Sequence, residues 1–201
     1  MSEMQILLVV VGCTVAGAAV LMLVFARVRT DQAQDSWRKL ADRHGLRYAT
    51  EWEGKKKLVV HGDLDGRSFR MENVEVGGGQ QKQLHTKITF HLGRRLPAGL
   101  FLGPERFGKG VFKKMIVGEE IEIGDAAFDE KVVIRGDDPG KVKAYLTDER
   151  KAAVLKILEM KATVEGGMII MEAPREIHDL SELERHLQEM RSAAGVLDPR
   201  L

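Results

Sequence analysis

The chain has one cysteine, Cys13, and it lies within an apolar run. The remaining residues can therefore form neither an internal disulfide nor a cysteine metal site, so the fold must rest on its core. Aromatic residues are scarce at 5%, while charged residues reach 30%. That composition describes an aliphatic core of Val, Ile, Leu and Met under a well-solvated surface, which is a globular chain and not a disordered one. Neither charge sign dominates, with 31 Lys and Arg against 30 Asp and Glu. A chain so balanced has no broad basic field to hold phosphate backbones, which argues against nucleic acid as a partner.

Assembled catalytic motifs are also missing. Ser36, Ser68, Ser181 and Ser192 sit in no G-x-S-x-G elbow, and the histidines form no H-E-x-x-H pair. No loop of alternating Asp and Asn ends in the Glu that calcium binding needs. The stretch Gly103 to Gly110 copies most of a phosphate-binding G-x-x-x-x-G-K-[ST] loop, but Gly110 stands where the Mg²⁺-holding Ser or Thr is required. A strand-like Val111-Phe112 follows it, where the phosphate loop would open a helix. These absences imply no cofactor and no resident metal, and they lean against an enzyme.

What is present begins with Ile6 to Ala26, ILLVVVGCTVAGAAVLMLVFA, which contains no charged residue. At about 1.5 Å of rise per residue such a run crosses a hydrocarbon core of roughly 30 Å as a helix, the one local structure that satisfies its own backbone groups there. A cleaved signal peptide would carry a basic n-region and a shorter apolar stretch, and Met1 to Gln5 hold no Lys or Arg. The sequence therefore reads as a short tail (1–5), a transmembrane anchor in the lipid bilayer (6–26), a juxtamembrane helix (27–46) and an α+β domain (47–201). That domain is one unit or two lobes, strand-rich over 47–136 and helix-rich over 137–201. Within the run, Gly12 with Ala16 and Cys13 with Gly17 place small residues four apart, a face through which two spans could associate weakly.

After the anchor, apolar Trp37, Leu40 and Ala41 recur at helical steps until Gly45 stops them. Strands follow at Arg47–Trp52, Leu58–Gly62, Ser68–Val76 and His85–Leu92, with Asp65-Gly66 as a hairpin turn and an expected bulge at Asn73 where the alternation changes phase. Gly77 to Gln81 reads as a loop. Further strands are expected at Leu100–Leu102, Val111–Val117 and Lys131–Arg135, with Gly103-Pro104 as punctuation. Then the period changes. Asp138-Pro139 and Thr147 each open a helix, Thr163–Glu165 and Met168–Glu172 form a hairpin across Gly166-Gly167, and Asp179 caps a last helix with Glu182 three residues on. Leu180, Leu183, Leu187, Met190, Ala194 and Leu197 give that helix a narrow apolar stripe, which helices of single domains bury against their own sheet. Strands first and helices later argue for a mostly antiparallel α+β domain with C-terminal helices.

Two clusters carry what chemistry there is. Asp125, Asp129, Asp137 and Asp138 stand close in sequence around Phe128; no His is near to partner them, and turns and helix caps also collect Asp. Lys55, Lys56 and Lys57 form the densest basic cluster, and such a cluster near a membrane gains about 1 kcal/mol per residue from an anionic leaflet. The anchor, Gly124 to Asp129, Val132 to Gly136, Asp138-Pro139, and Leu146-Thr147 with the helix after them resemble a group of uncharacterised bacterial single-pass membrane proteins carrying a domain of unknown function. The likeness is clearest from about residue 100 onward. It implies a bacterial envelope setting and supplies no catalytic residue; with the anchor, the expected location is the bacterial inner membrane.

Two readings follow. One is a membrane-anchored, non-enzymatic domain that contacts a protein partner or the membrane surface; the other is a hydrolase or small-ligand-binding domain with its site near Asp125 to Asp138. Orientation comes from the flanks, because Arg27, Arg29, Arg38 and Lys39 follow the run while none precedes it, which holds the domain in the cytoplasm. A reporter active only outside the cytoplasm, fused to Leu201, is expected to stay silent. A strong signal would reverse the orientation.

Overall fold

The computed structural model describes residues 31–52, 56–78, 82–93, 96–104 and 119–199. The apolar run 6–26, Lys55, residues 105–110 of the phosphate-loop-like stretch and the strand expected at 111–117 lie outside them. Among the described residues no helix is long and apolar enough to cross a membrane.

Helix α1 (31–44) turns one face inward, burying Ala33, Trp37, Leu40 and Ala41. It ends as its sequence demands. Gly45 takes φ 64°, a left-handed angle that costs glycine little, and the Leu46 N–H returns to the Ala41 carbonyl at 2.8 Å. The chain thus reverses within Gly45 and Leu46, and β1 (Arg47–Trp52) runs back along the helix.

Strands β2 (Lys56–Leu64), β3 (Arg67–Val76) and β4 (Gln83–His91) continue an antiparallel meander. Asp65 and Gly66, with φ 54° and 72°, make the two-residue turn between β2 and β3. The second half contains β5 (Phe101–Pro104), the short helix α2 (Ala126–Asp129) and β6 (Val132–Arg135). Helices α3 (Pro139–Tyr145) and α4 (Asp148–Glu159) follow, then β7 (Ala162–Glu165), β8 (Met168–Ala173) and α5 (Leu180–Leu197). The eight strands form one sheet in the order β1-β2-β3-β4-β8-β7-β5-β6, antiparallel at every pairing. The architecture is α+β with C-terminal helices.

Alternation places two apolar rows across one face. Val60, Met71, Ile88, Met171 and Ala162 are successive partners in one row; Phe69, Phe90, Ile169, Val164, Leu102 and Ile134 are in the other. All are buried. At about 1.5–3 kcal/mol for each large side chain, these rows and the helices on them are the main source of stability. Helices α1 and α5 run side by side in the same direction, because the Trp37 indole donates to the Ile177 carbonyl (2.9 Å) and His44 meets Glu184 (2.6 Å). Trp37, Leu40 and Ala41 belong to the same core cluster as the sheet and α5.

Two local expectations are corrected. No bulge occurs at Asn73, since β3 and β4 pair without interruption from Phe69 with Phe90 to Val76 with Gln83. Asn73 instead keeps the inward phase. Its side-chain oxygen accepts the Leu58 N–H at 2.7 Å just beyond the last β2–β3 partners, Val59 and Glu72, so a polar residue completes the ladder from inside. Gly103 and Pro104 likewise do not interrupt β5 but belong to it, and a Cβ on Gly103 would lie 2.6 Å from the Phe101 ring.

The stripe on α5 faces inward, with Leu183, Leu187, Met190, Ala194 and Leu197 buried. Leu187→Asp is accordingly expected to destabilise the domain by about 4 kcal/mol or more, the cost of an unpaired charge in a core. Thermal melting of the full chain checks this, and an unchanged transition would place the stripe on a partner surface.

Candidate functional site

The aspartates singled out in the sequence are spread along backbone turns. Asp125 caps α2, accepting the Phe128 N–H, and takes the Lys151 ammonium at 2.7 Å. That hydrogen bond holds its carboxyl below the ordinary value and, with Asp148, raises Lys151 to about 12. Asp129 turns back to accept the N–H groups of Ile123 (3.2 Å) and Gly124 (3.0 Å). Phe128 between them is buried. Asp138 caps α3 through the Lys141 N–H at 3.1 Å, and Pro139 begins that helix. A cavity of about 420 Å³ beside them is lined by Glu119, Glu120, Glu122, Asp137 and Lys143, and by none of Asp125, Asp129 or Asp138. Among the described residues no group of three or more His, Cys, Asp or Glu is placed to hold a metal ion.

Of the lysine cluster, Lys57 can be followed to its partner. It lies on the outer sheet face, 2.9 Å from Glu72, which Arg70 also reaches at 2.9 Å while bonding Glu51 at 3.1 Å. Burial pushes the Glu72 carboxyl up, yet the hydrogen bonds from Lys57 and Arg70 outweigh it and keep the group below its ordinary range. Lys57 is thus engaged across strands. His85 pairs with Glu172 at 2.7 Å, and His91 stands at the far end of β4.

Two features were not singled out in the sequence. The first is a cleft of about 370 Å³ between the end of α4, the end of β8 and the first half of α5. Cations and anions alternate around it, among them Lys156, Glu159, Arg175, Glu182 and Arg185. Arg175 grips both oxygens of Glu182, at 2.6 and 2.7 Å, and holds its carboxyl below the ordinary pKa. His186 is 7% exposed, with Nε2 3.4 Å from Glu182 and no partner for Nδ1 among the described residues. Desolvation, and then the like charge of Arg185, depress its pKa below 6.5. The signal was legible: positions 183, 186, 187 and 190 share the buried face of a helix.

The second is an apolar end of the sheet. Among the described residues the exposed large hydrophobic side chains are Trp52 at 74%, Val76 at 39% and Leu84 at 43%. All three belong to one edge of strand termini, since β1 ends at Trp52, β3 ends at Val76 and Val76 pairs with Gln83 at the start of β4. A shallow groove of about 600 Å³ adjoins Leu84, with Pro174, Arg175, Glu176 and His178 on its other side. Periodicity could not reveal this cluster, because it is made by strand ends far apart in sequence.

Comparison with known proteins returns no matching family model, curated protein or solved structure.

The buried His186 gives a pH test. Its folded-state pKa lies below the ordinary 6.5, so the unfolded chain takes up the proton first as pH falls. The stability it permits at neutral pH should therefore decline as the pH drops below about 6.5. Equilibrium denaturation from pH 8 to 5 is expected to show that decline, and His186→Gln to flatten it. Identical slopes in the two proteins would mean that His186 titrates freely in the fold.

Proposed function

We propose that this chain is a membrane-tethered, non-enzymatic α+β domain. It is held by residues 6–26 at the cytoplasmic face of a bacterial inner membrane and acts by contact with a protein partner or the lipid surface. The observation that carries the reading is the join between tether and domain. The uncharged run ends at Ala26, and α1, a core helix of the domain, is under way by residue 31. Residues 27–30 leave no room for a long linker. A fully extended path from Ala26 to Asp31 covers at most about 18 Å, so a run embedded in a bilayer would keep the domain against the headgroups.

What supports contact over chemistry is how the polar groups are used. Asp125, Asp129 and Asp138 direct oxygens to backbone N–H groups, Glu182 is clamped by Arg175, and Glu72 by Lys57 and Arg70. A general acid or base needs an open position beside a reacting group, and these carboxylates are already occupied in turns and ion pairs.

Full-length protein expressed in bacterial cells is expected to sediment with membranes and to resist extraction by alkaline carbonate. A variant lacking residues 6–26 should appear in the soluble fraction. Carbonate release of the full chain would remove the tether and the reading with it.

A further inference from the structure

We infer that the sheet end bearing Trp52, Val76 and Leu84 is a lipid-contact surface, seated in the headgroup region of the same bilayer that holds residues 6–26. The inference rests on the tether proposed above and adds to it the face of the domain that meets the membrane.

The direction of α1 carries the argument. Gly45 and Leu46 turn α1 directly into β1, so the helix start lies beside the end of β1. From residue 44 back to residue 31 the helix rises about 20 Å, and from Arg47 to Trp52 the strand advances about 17 Å. Asp31 and Trp52 therefore stand at nearly the same level. The contacts of α1 agree with this placement. Arg38, midway along the helix, lies over the Tyr48 ring near the start of β1, and Trp37 meets Ile177, whose N–H donates to the Thr86 hydroxyl on β4. The turns of α1 before Trp37 thus extend toward the strand ends that carry Val76 and Leu84.

The tether leaves the domain at this end, and the exposed large hydrophobics among the described residues gather there too. Adjacent strands lie about 4.8 Å apart, so Trp52 on β1 and Leu84 on β4 span about 14 Å. That is broad enough to rest on a surface and too small to bury a stable protein interface by itself. A tryptophan that is 74% exposed suits the membrane interface, where its ring lies among headgroups and its N–H stays hydrated. Among the described side chains the cations nearby are paired, Lys57 with Glu72, Lys82 with Glu75 at 3.3 Å and Arg175 with Glu182. The hydrophobic side chains are therefore the contact to test, in zwitterionic lipid. The opposite end of the sheet is engaged by the protein itself, with Arg191 holding Asp65 of the β2–β3 turn through two bonds of 2.5 Å.

Trp37 is buried and Trp52 is exposed, so Trp52→Phe isolates the tested side chain without disturbing the core. Full-length protein and the Trp52→Phe variant are reconstituted in phosphatidylcholine vesicles, with or without phosphatidylcholine brominated near the headgroup end of its acyl chains. Flotation and carbonate treatment verify the tether first. Bromolipid is expected to quench the emission of the full-length protein and to leave that of Trp52→Phe nearly unchanged, while aqueous iodide does little to either. Val76→Asp combined with Leu84→Asp should reverse that pattern for Trp52, lowering bromolipid quenching and admitting iodide. If the protein floats with the vesicles yet Trp52 is quenched by iodide and not by bromolipid, the surface faces water, as a protein-docking site would, and the inference is overturned while the tether stands. If the protein does not float with the vesicles, tether and surface fall together.

Discussion

The pairing of β4 with β8 is the constraint on which the rest of the molecule depends. It runs from Thr86 with Ala173 to His91 with Met168 and, among the described residues, is the one strand contact joining the first four strands to the last four. Through it Phe90 meets Ile169 and Ile88 meets Met171, so two half-sheets become one surface with continuous apolar rows. Once joined, α1 from the first half and α5 from the second lie together over the same face, tied where the Trp37 indole reaches the Ile177 carbonyl. The link that carries Ile177 is itself held by β4, through the Thr86 N–H to Arg175 and the Thr86 hydroxyl from Ile177. Long-range pairing of this kind forms late and slowly, because the chain between the partners must be ordered before the contact contributes.

The far end of α5 shows a different economy. Arg67 and Asp198 are both buried, and Arg67 donates to the Asp198 backbone carbonyl as well as approaching its carboxylate. Asp198 also accepts the Gly93 N–H at 2.7 Å, and the Tyr145 hydroxyl donates to the Leu197 carbonyl at 2.6 Å. A helix end leaves carbonyls without intrahelical donors, and burying them unsatisfied would be costly. Side chains from β3 and α3 supply the donors, so the helix terminus can be packed inside the domain. A buried ion pair adds little net stability. Here it joins the end of α5 to the start of β3.

These two arrangements leave the ends of the sheet unlike one another. Where α5 terminates, polar side chains close the structure onto itself. Where α1 begins, hydrophobic side chains stay exposed and the chain continues into an uncharged run. The asymmetry gives the domain an axis, and a tether of few residues would set that axis against the membrane.

Much of the fold was legible from local signals. The Asp65-Gly66 turn, the caps at Asp138, Thr147 and Asp179, and the inward stripe of α5 all depend on residues within a few positions of one another, and all appear where the sequence placed them. The roles of Asp125, Asp129 and Asp138 were readable only as a choice between capping and chemistry; the distances to backbone N–H groups put them at caps and turns. Asn73 misled because a phase change in hydrophobicity looks like an inserted residue, whereas the strand kept its register and buried the amide as a hydrogen-bond acceptor. The partner of Lys57 and the gathering of Trp52, Val76 and Leu84 required strand order, since each joins residues from separate elements, whereas the burial of His186 follows from its face on α5. By itself the sequence determined the elements, their caps and the uncharged run, because periodicity and turn chemistry act over a few residues. Only the tertiary structure decided which strands adjoin, which charges meet and which end of the sheet remains apolar, because those follow from pairing between residues that are distant along the chain.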